Sequence, residues 1–323
     1  MKSLYSSLIN KPLTQWGLRI ISLVIIAYFI YAEVLVNRDV QDLVDYLLHG
    51  RSTHLFWLIA AIGLMPFNWL LETAKWRFLM LNLQSISFFR AFKATLAGTT
   101  VSLFTPNRVG GFVGRILFLQ PENRYRASLL SIWNNLAQLL ISLSVGTIAL
   151  IFYAQNVFGS QFFDLLLFST ILICLIAIAL YLNPRWLTRL LKSQPFFWSK
   201  TKRTLTAVKY LNSQRLIIVL ATSLLRYAVF TFQFAAVLYY FDIASSFHQL
   251  FTGVAVVFLI STVVPSITLA EFGVREIVAL QVFQVKEDAE LGVLYASVFI
   301  WLVNIIIPAL VGQVIILTSK KTT

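Results

Sequence analysis

Charge is scarce in this chain. Of 323 residues only 12% are Asp, Glu, Lys or Arg, while 59% are hydrophobic. A soluble domain carries roughly 25% charged residues, so this composition excludes an ordinary water-soluble fold and points to an integral membrane protein. Acid is scarcer still: 13 Asp and Glu stand against 26 Lys and Arg, for a formal charge of +13. That excess does not call for nucleic acid, because Lys and Arg collect in the cytoplasmic loops of membrane proteins. With Cys174 as the one cysteine an intrachain disulfide is excluded, and His49, His54 and His248 lack metal-ligand spacing. No Ser/His/Asp constellation or phosphate-binding glycine loop occurs either, so the chain is read as a non-enzyme without metal or cofactor.

What is abundant is apolar length. Leu55–Leu71, Ala127–Phe163, Leu165–Pro184 and Leu291–Ser319 hold no charge, and roughly 20 apolar residues cross ~30 Å of hydrocarbon. An all-α polytopic membrane fold follows, with six crossings expected at about 17–36, 53–72, 127–153, 162–182, 216–241 and 291–317. The run Ile20–Ala32 is long for a signal peptide and lacks a small-residue cleavage site, so it is read as a retained first helix. Segment 183–215 carries Arg185, Arg189, Lys192, Lys200, Lys202, Arg203, Lys209 and Arg215 and no acid. This places it in the cytoplasm with both termini, in an inner membrane, where it is a candidate dock for a cytoplasmic partner or anionic lipid. Asp39, Asp42, Asp45, Asp242, Glu287, Asp288 and Glu290 fall on the other side.

Two apolar stretches are broken in the same way. Pro106 ends one run, and Gly114 and Arg115 follow; Pro265 ends another, and Gly273 and Arg275 follow. Pro and Gly are expected to break the helices there, freeing backbone groups that hydrocarbon tolerates only beside protein or water. A single crossing at 94–120 would turn the basic segment outward, so re-entrant helical hairpins are expected at 94–120 and 249–285, with two full crossings over 249–285 as the alternative that keeps the same sidedness. Residues 1–158 then run crossing, crossing, hairpin, crossing, and residues 159–323 repeat the order from the opposite side. That is an inverted repeat, a plan that places substrate sites where broken elements meet.

The stretch Thr105-Pro106-Asn107-Arg108-Val109-Gly110, ending in Arg115, resembles a signature of the lysylphosphatidylglycerol synthase transmembrane family. Glu271-Phe272-Gly273-Val274-Arg275-Glu276 resembles its second signature, and Trp76-Arg77 also matches in place. Gly111 stands where the family often has Glu, and Ala270-Glu271 replaces a glycine pair. The resemblance implies a flippase-like membrane domain that handles lipid, and no loop here is long enough for the family's synthase domain.

Candidate headgroup-binding residues are Arg108, Gly110, Arg115, Arg226, Glu271, Arg275 and Glu276. Arg108 and Arg115, seven apart, would share a helix face as a phosphate clamp, or serve as snorkelling anchors. Gly110 and Gly114 suit close helix packing, and a limb starting at Gly110 would offer amide hydrogens to phosphate. Glu271 and Arg275 have helical pair spacing. Arg226 is read as facing the bundle interior, with Glu271 or Asp164 as its acid. Asn134 and Gln138 are read as interhelical hydrogen-bonding residues, and Glu72, Lys75 and Arg77 as membrane-interface residues. The expected function is translocation or binding of an anionic or polyprenyl-linked lipid. The alternative is a non-transporting accessory subunit of an envelope lipid or glycan biosynthesis system.

Overall fold

The computed structural model describes residues 55–105, 108, 110–158, 163–184, 186, 210–243, 246–265, 271–286 and 289–319. The first expected crossing, Pro106, Glu287, Asp288 and most of segment 183–215 lie outside the described residues. Residues 54–315 belong to one structural unit, which is the subject here. Its helices are α1 (Leu55–Met80), α2 (Phe88–Ser102), α3 (Gly111–Ile116), α4 (Pro121–Phe158), α5 (Phe163–Leu182), α6 (Ser213–Tyr240), α7 (Phe247–Val263) and α8 (Glu271–Phe283). Then come α9 (Glu290–Trp301), a π-helical turn at Leu302–Ile306 and α10 (Ile307–Thr318). No strand occurs among the described residues. Five spans are long and apolar enough to cross a membrane: α1, α4, α5, α6 and the continuous rod Glu290–Thr318.

Local chemistry explains the boundaries. Ser87 caps α2 by accepting from the Arg90 amide at 3.3 Å, and Ser246 caps α7 through the Gln249 amide at 3.2 Å. Pro121 opens α4, where its missing N–H has no helical partner to lose. Pro308 deprives the last rod of a backbone donor just after the π turn, which accounts for the local widening. The second crossing was expected to stop at residue 72, where charge begins. Instead α1 continues to Met80, because its charged residues turn onto the protein-facing stripe. That stripe runs through Leu58, Ala61, Asn68, Glu72, Lys75, Trp76 and Leu79, while Phe56, Ile59, Ile62 and Leu70 point outward. Three- and four-residue spacing defines such a stripe. Its polarity is reversed relative to a soluble helix, with charge inside and hydrocarbon side chains outside.

Helices α1 and α6 pack antiparallel. Trp57 meets Tyr239 at 5.3 Å between ring centroids at one end, and Arg215 Nη1 donates to the Phe78 carbonyl at 3.1 Å at the other. Between them Gln233 Nε2 donates to the Ala61 carbonyl at 2.7 Å. These contacts orient the two broken stretches. Helices α2 and α3 pack against each other antiparallel, and Gln84, just before α2, accepts from Gln120 and Asn123, just after α3, at 3.1 and 3.3 Å. The chain thus starts and finishes this hairpin at the Met80 end of α1. Helices α7 and α8 form the second hairpin, with Gly253 against Phe283, and Phe241 before it lies against Gly292 after it. That hairpin starts and finishes at the Tyr240 end of α6, the opposite end of the bundle.

Each hairpin rests on a long helix from the other half of the chain. Thr100 Oγ1 donates to the Ala309 carbonyl at 2.7 Å, and Gly312 sits against the Leu96 backbone. In the matching place Gly146 of α4 sits against Ala255 and Leu259 of α7. Neither Gly114 nor Gly273 breaks a helix, as had been expected; both lie inside one, Gly114 in α3 and Gly273 in α8. Their roles differ. A Cβ on Gly114 would lie 2.5 Å from the Ala97 carbonyl oxygen and 2.7 Å from Gly98 Cα, which are backbone atoms with no rotamer to yield. Around Gly273 nothing lies within 4 Å. Gly114→Ala should therefore lower stability by about 1–3 kcal/mol through overpacking, whereas Gly273→Ala should be neutral or slightly stabilising. Thermal unfolding of the two purified variants in detergent checks this, and equal midpoints would contradict the packing role of Gly114.

Candidate functional site

The turns of the two hairpins meet. Arg108, between α2 and α3, adopts a left-handed backbone with φ 59°, a conformation that is uncommon for a non-glycine residue and marks a held loop. Backbone bonds pin it: its amide donates to the Thr105 carbonyl and its carbonyl accepts from the Gly111 amide, each at 3.2 Å. From this turn the guanidinium reaches Glu271, the first residue of α8, donating to Oε2 from Nε at 3.0 Å and from Nη2 at 2.5 Å. Glu271 Oε1 accepts from Arg275 Nη2 at 2.9 Å, one helical turn on. A carboxylate at a helix start is favoured by the peptide dipoles as well. Arg275 is 1% exposed and lies 5.5–5.8 Å from the ring centres of Phe230, Phe234 and Phe258, so α6 and α7 both hold it by cation–π contact.

A second charged cluster lies on α1, α3, α4 and α6, with Glu72 at its centre. Glu72 Oε1 accepts from Arg115 Nη2 at 2.8 Å and from Asn134 Nδ2 at 3.0 Å. Its Oε2 pairs with Lys75 Nζ at 2.9 Å and lies 3.6 Å from Arg226 Nε. Gln138 Oε1 accepts from Arg226 Nη1 at 3.1 Å and from Lys75 Nζ at 3.5 Å. Glu72 is 4% exposed and Lys75 2%. Eight residues separate Glu72 from the end of α1, which places the cluster about 12 Å inside the helix. Arg108 and Arg115 lie on the same short hairpin and each joins a different carboxylate, so that hairpin links the two clusters. Across both clusters five cations, Lys75, Arg108, Arg115, Arg226 and Arg275, are ion-paired to two carboxylates. Such an array attracts anions, and guanidinium groups match the geometry of phosphate oxygens.

These positions sort the expected site residues. Glu271 and Arg275 form the helical pair that their spacing suggested. Arg108 and Arg115 do not share a face: the turn at Arg108 intervenes, and each guanidinium joins a different carboxylate. Arg226 faces Glu72, not Glu271 or Asp164, because the protein-facing side of α6 meets α1. Gly110 offers no open anion cradle, since its amide donates to Thr105 Oγ1 at 3.0 Å and α3 is only six residues long. Glu276 also interacts within the protein. Glu72 and Lys75 were placed at the membrane interface by the sequence reading, and both are buried. Their sequence signal was the period: they continue the stripe of Leu58, Ala61 and Asn68.

The chain matches the family described as the lysylphosphatidylglycerol synthase TM region over residues 17–312, and it belongs to that family. It is a multi-pass membrane protein of the all-α class. No curated protein and no solved structure matches it.

The two clusters should respond differently to mutation. Glu72→Gln leaves the buried Lys75 and Arg115 and the half-buried Arg226 without their carboxylate, a loss of about 3–5 kcal/mol for a broken buried pair. Arg108 has a side chain 35% exposed, so Arg108→Ala should cost about 1 kcal/mol or less. Thermal stability of the detergent-purified variants by size-exclusion chromatography checks the order. Greater damage from Arg108→Ala would contradict the central place given to Glu72.

Proposed function

We propose that the protein is a flippase-like carrier rather than an enzyme, moving an anionic or polyprenyl-linked lipid between the leaflets of the inner membrane. One observation carries this reading: two broken helical hairpins start at opposite ends of the bundle and meet through Arg108 and Glu271. Charge placed there is expensive in hydrocarbon and is ordinarily retained for a polar pathway. The crossed packing of each hairpin on the other half supports an inverted repeat with halves 1–158 and 159–323, whose hairpins are re-entrant. In such a repeat the substrate site lies where the broken elements meet, which here is the Arg108–Glu271 junction, beside the cation-rich Glu72 cluster that Arg115 joins.

The path follows the seam between α3 and the start of α8. Arg108 is half-exposed there and can exchange Glu271 for a headgroup phosphate, while Arg275, held by three rings, keeps Glu271 in place. A competing carboxylate beside the headgroup site keeps binding weak enough for release. The basic segment 183–215 faces the cytoplasm in this reading, with both termini, and can hold anionic lipid or a cytoplasmic partner.

Reconstitution tests the proposal. Proteoliposomes with a fluorescent anionic phospholipid, read by quenching from one leaflet, should show faster equilibration than protein-free vesicles. Arg108→Lys keeps the charge but cannot present two donors to one oxygen, and should slow transport about tenfold or more at equal incorporation. A wild-type rate equal to empty vesicles, for both a phospholipid and a polyprenyl phosphate, would remove the transport reading. An unimpaired Arg108→Lys would reduce Arg108 to a surface anchor.

A further inference from the structure

We infer, on the basis of that lipid-handling role, that the Glu72 cluster is the anion site and selects a phosphate bearing two negative charges: a monoester, not a diester. The charge balance points there. Lys75, Arg115 and Arg226 surround a single carboxylate, and among the described residues Glu72 is the one acid to which the three are ion-paired. The other paired carboxylate, Glu271, is taken by Arg108 and Arg275. Among the described residues two positive charges therefore remain unmatched around Glu72, an arrangement that is costly until an anion balances it.

Hydrogen-bonding capacity gives the same answer independently. Arg115 Nε and Nη1 are buried without a hydrogen-bond acceptor, and Arg226 Nε has only Glu72 Oε2 at 3.6 Å, beyond hydrogen-bond length. Buried guanidinium donors are ordinarily satisfied, so two free ones and a third loosely held in a single cluster call for an acceptor. A phosphate monoester supplies three terminal oxygens and a charge of about −1.5 to −2 at neutral pH. A diester supplies two terminal oxygens and one charge, which would leave a donor and a cation unmatched. The hairpin junction has a smaller charge surplus, since Arg108 and Arg275 against Glu271 leave one, and the donors of Arg275 without a hydrogen bond, Nε and Nη1, belong to a guanidinium enclosed by three aromatic rings. Arg115 links the two regions, because it rides on α3 beside the Arg108 turn and its chain lies across Gly98.

The same chemistry is offered by a lipid monoester and by free phosphate, and one experiment separates them. The full chain, purified in detergent, is titrated calorimetrically with farnesyl phosphate, with the methyl ester of farnesyl phosphate, and with inorganic phosphate. The two farnesyl compounds share a tail and differ by one charge and one terminal oxygen. The monoester should bind at least about tenfold tighter, in line with the coupling of desolvated charge pairs. Lys75→Gln and Arg226→Gln each remove one surplus cation and should bring the ratio towards one, while Arg226→Lys should retain the preference. Each variant is compared at wild-type thermal midpoint and elution volume, so that one misfolded protein does not decide the outcome. Equal wild-type affinity for the two esters overturns the inference, as does an unchanged ratio in both glutamine variants. Displacement of farnesyl phosphate by inorganic phosphate at equal concentration keeps the dianion site and assigns it to soluble phosphate; failure to displace assigns it to lipid. Selective binding in a protein that moves no lipid would defeat the transport reading alone, and transport without ester selectivity would defeat this inference alone.

Discussion

A carboxylate enclosed by protein at membrane depth cannot rely on water, and Glu72 shows what must be arranged around such a group. Its two oxygens receive Arg115 from α3, Asn134 from α4, Lys75 from its own helix and Arg226 from α6. Taking ions out of water costs several kcal/mol each, and only close, well-directed partners recover it. The position of α3 is therefore tied to α1, and α1 to α4 and α6, through one side chain. Trp76 Nε1, donating to Ser131 Oγ at 2.9 Å, fixes α1 on α4 one turn away. Apolar packing cannot set this register by itself, because lipid tails are as apolar as leucine.

The two clusters differ in how firmly they hold their cations. At the hairpin junction the guanidinium of Arg108 is accessible and its backbone is strained, so its pairing with Glu271 is the more easily exchanged. In the Glu72 cluster Arg115 keeps two donors without an acceptor, and Arg226 Nε reaches Glu72 only at 3.6 Å. A headgroup would thus meet an exposed cation first and a buried, electrostatically under-compensated set second. The three rings around Arg275 fix that guanidinium, and through its 2.9 Å bond they hold Glu271 at the start of α8.

Much of this architecture was legible in the sequence. Charge-free runs identified α1, α4, α5 and the last rod, because a membrane imposes length and apolarity on every crossing. The paired proline breaks and the asymmetry of basic residues gave two hairpins starting from opposite sides, and Glu271 with Arg275 was readable from helical spacing. Partner choice was not legible. Arg226 has acids on several helices within plausible reach, and only the packing of α6 on α1 selects Glu72. Glu72 and Lys75 themselves sit where an apolar run ends, and charge at that place looks the same whether it faces headgroups or a protein core. Gly114 and Gly273 occupy matching sequence positions, yet one supports a backbone contact and the other faces open space, a difference set by neighbours distant in the chain.

The bond from Thr100 to the Ala309 carbonyl, with Gly312 against Leu96, joins residues about two hundred positions apart. A ribosome delivers α2 and α3 long before α10 exists. During synthesis the first hairpin can close its pairing of Arg115 with Glu72, but its outer surface has no protein to rest on until the final helix inserts. Arg108 likewise waits for Glu271. The amino-terminal half of the nascent chain therefore carries an unneutralised arginine and an unsupported hairpin through most of translation, and its maturation is set by the arrival of the last crossing.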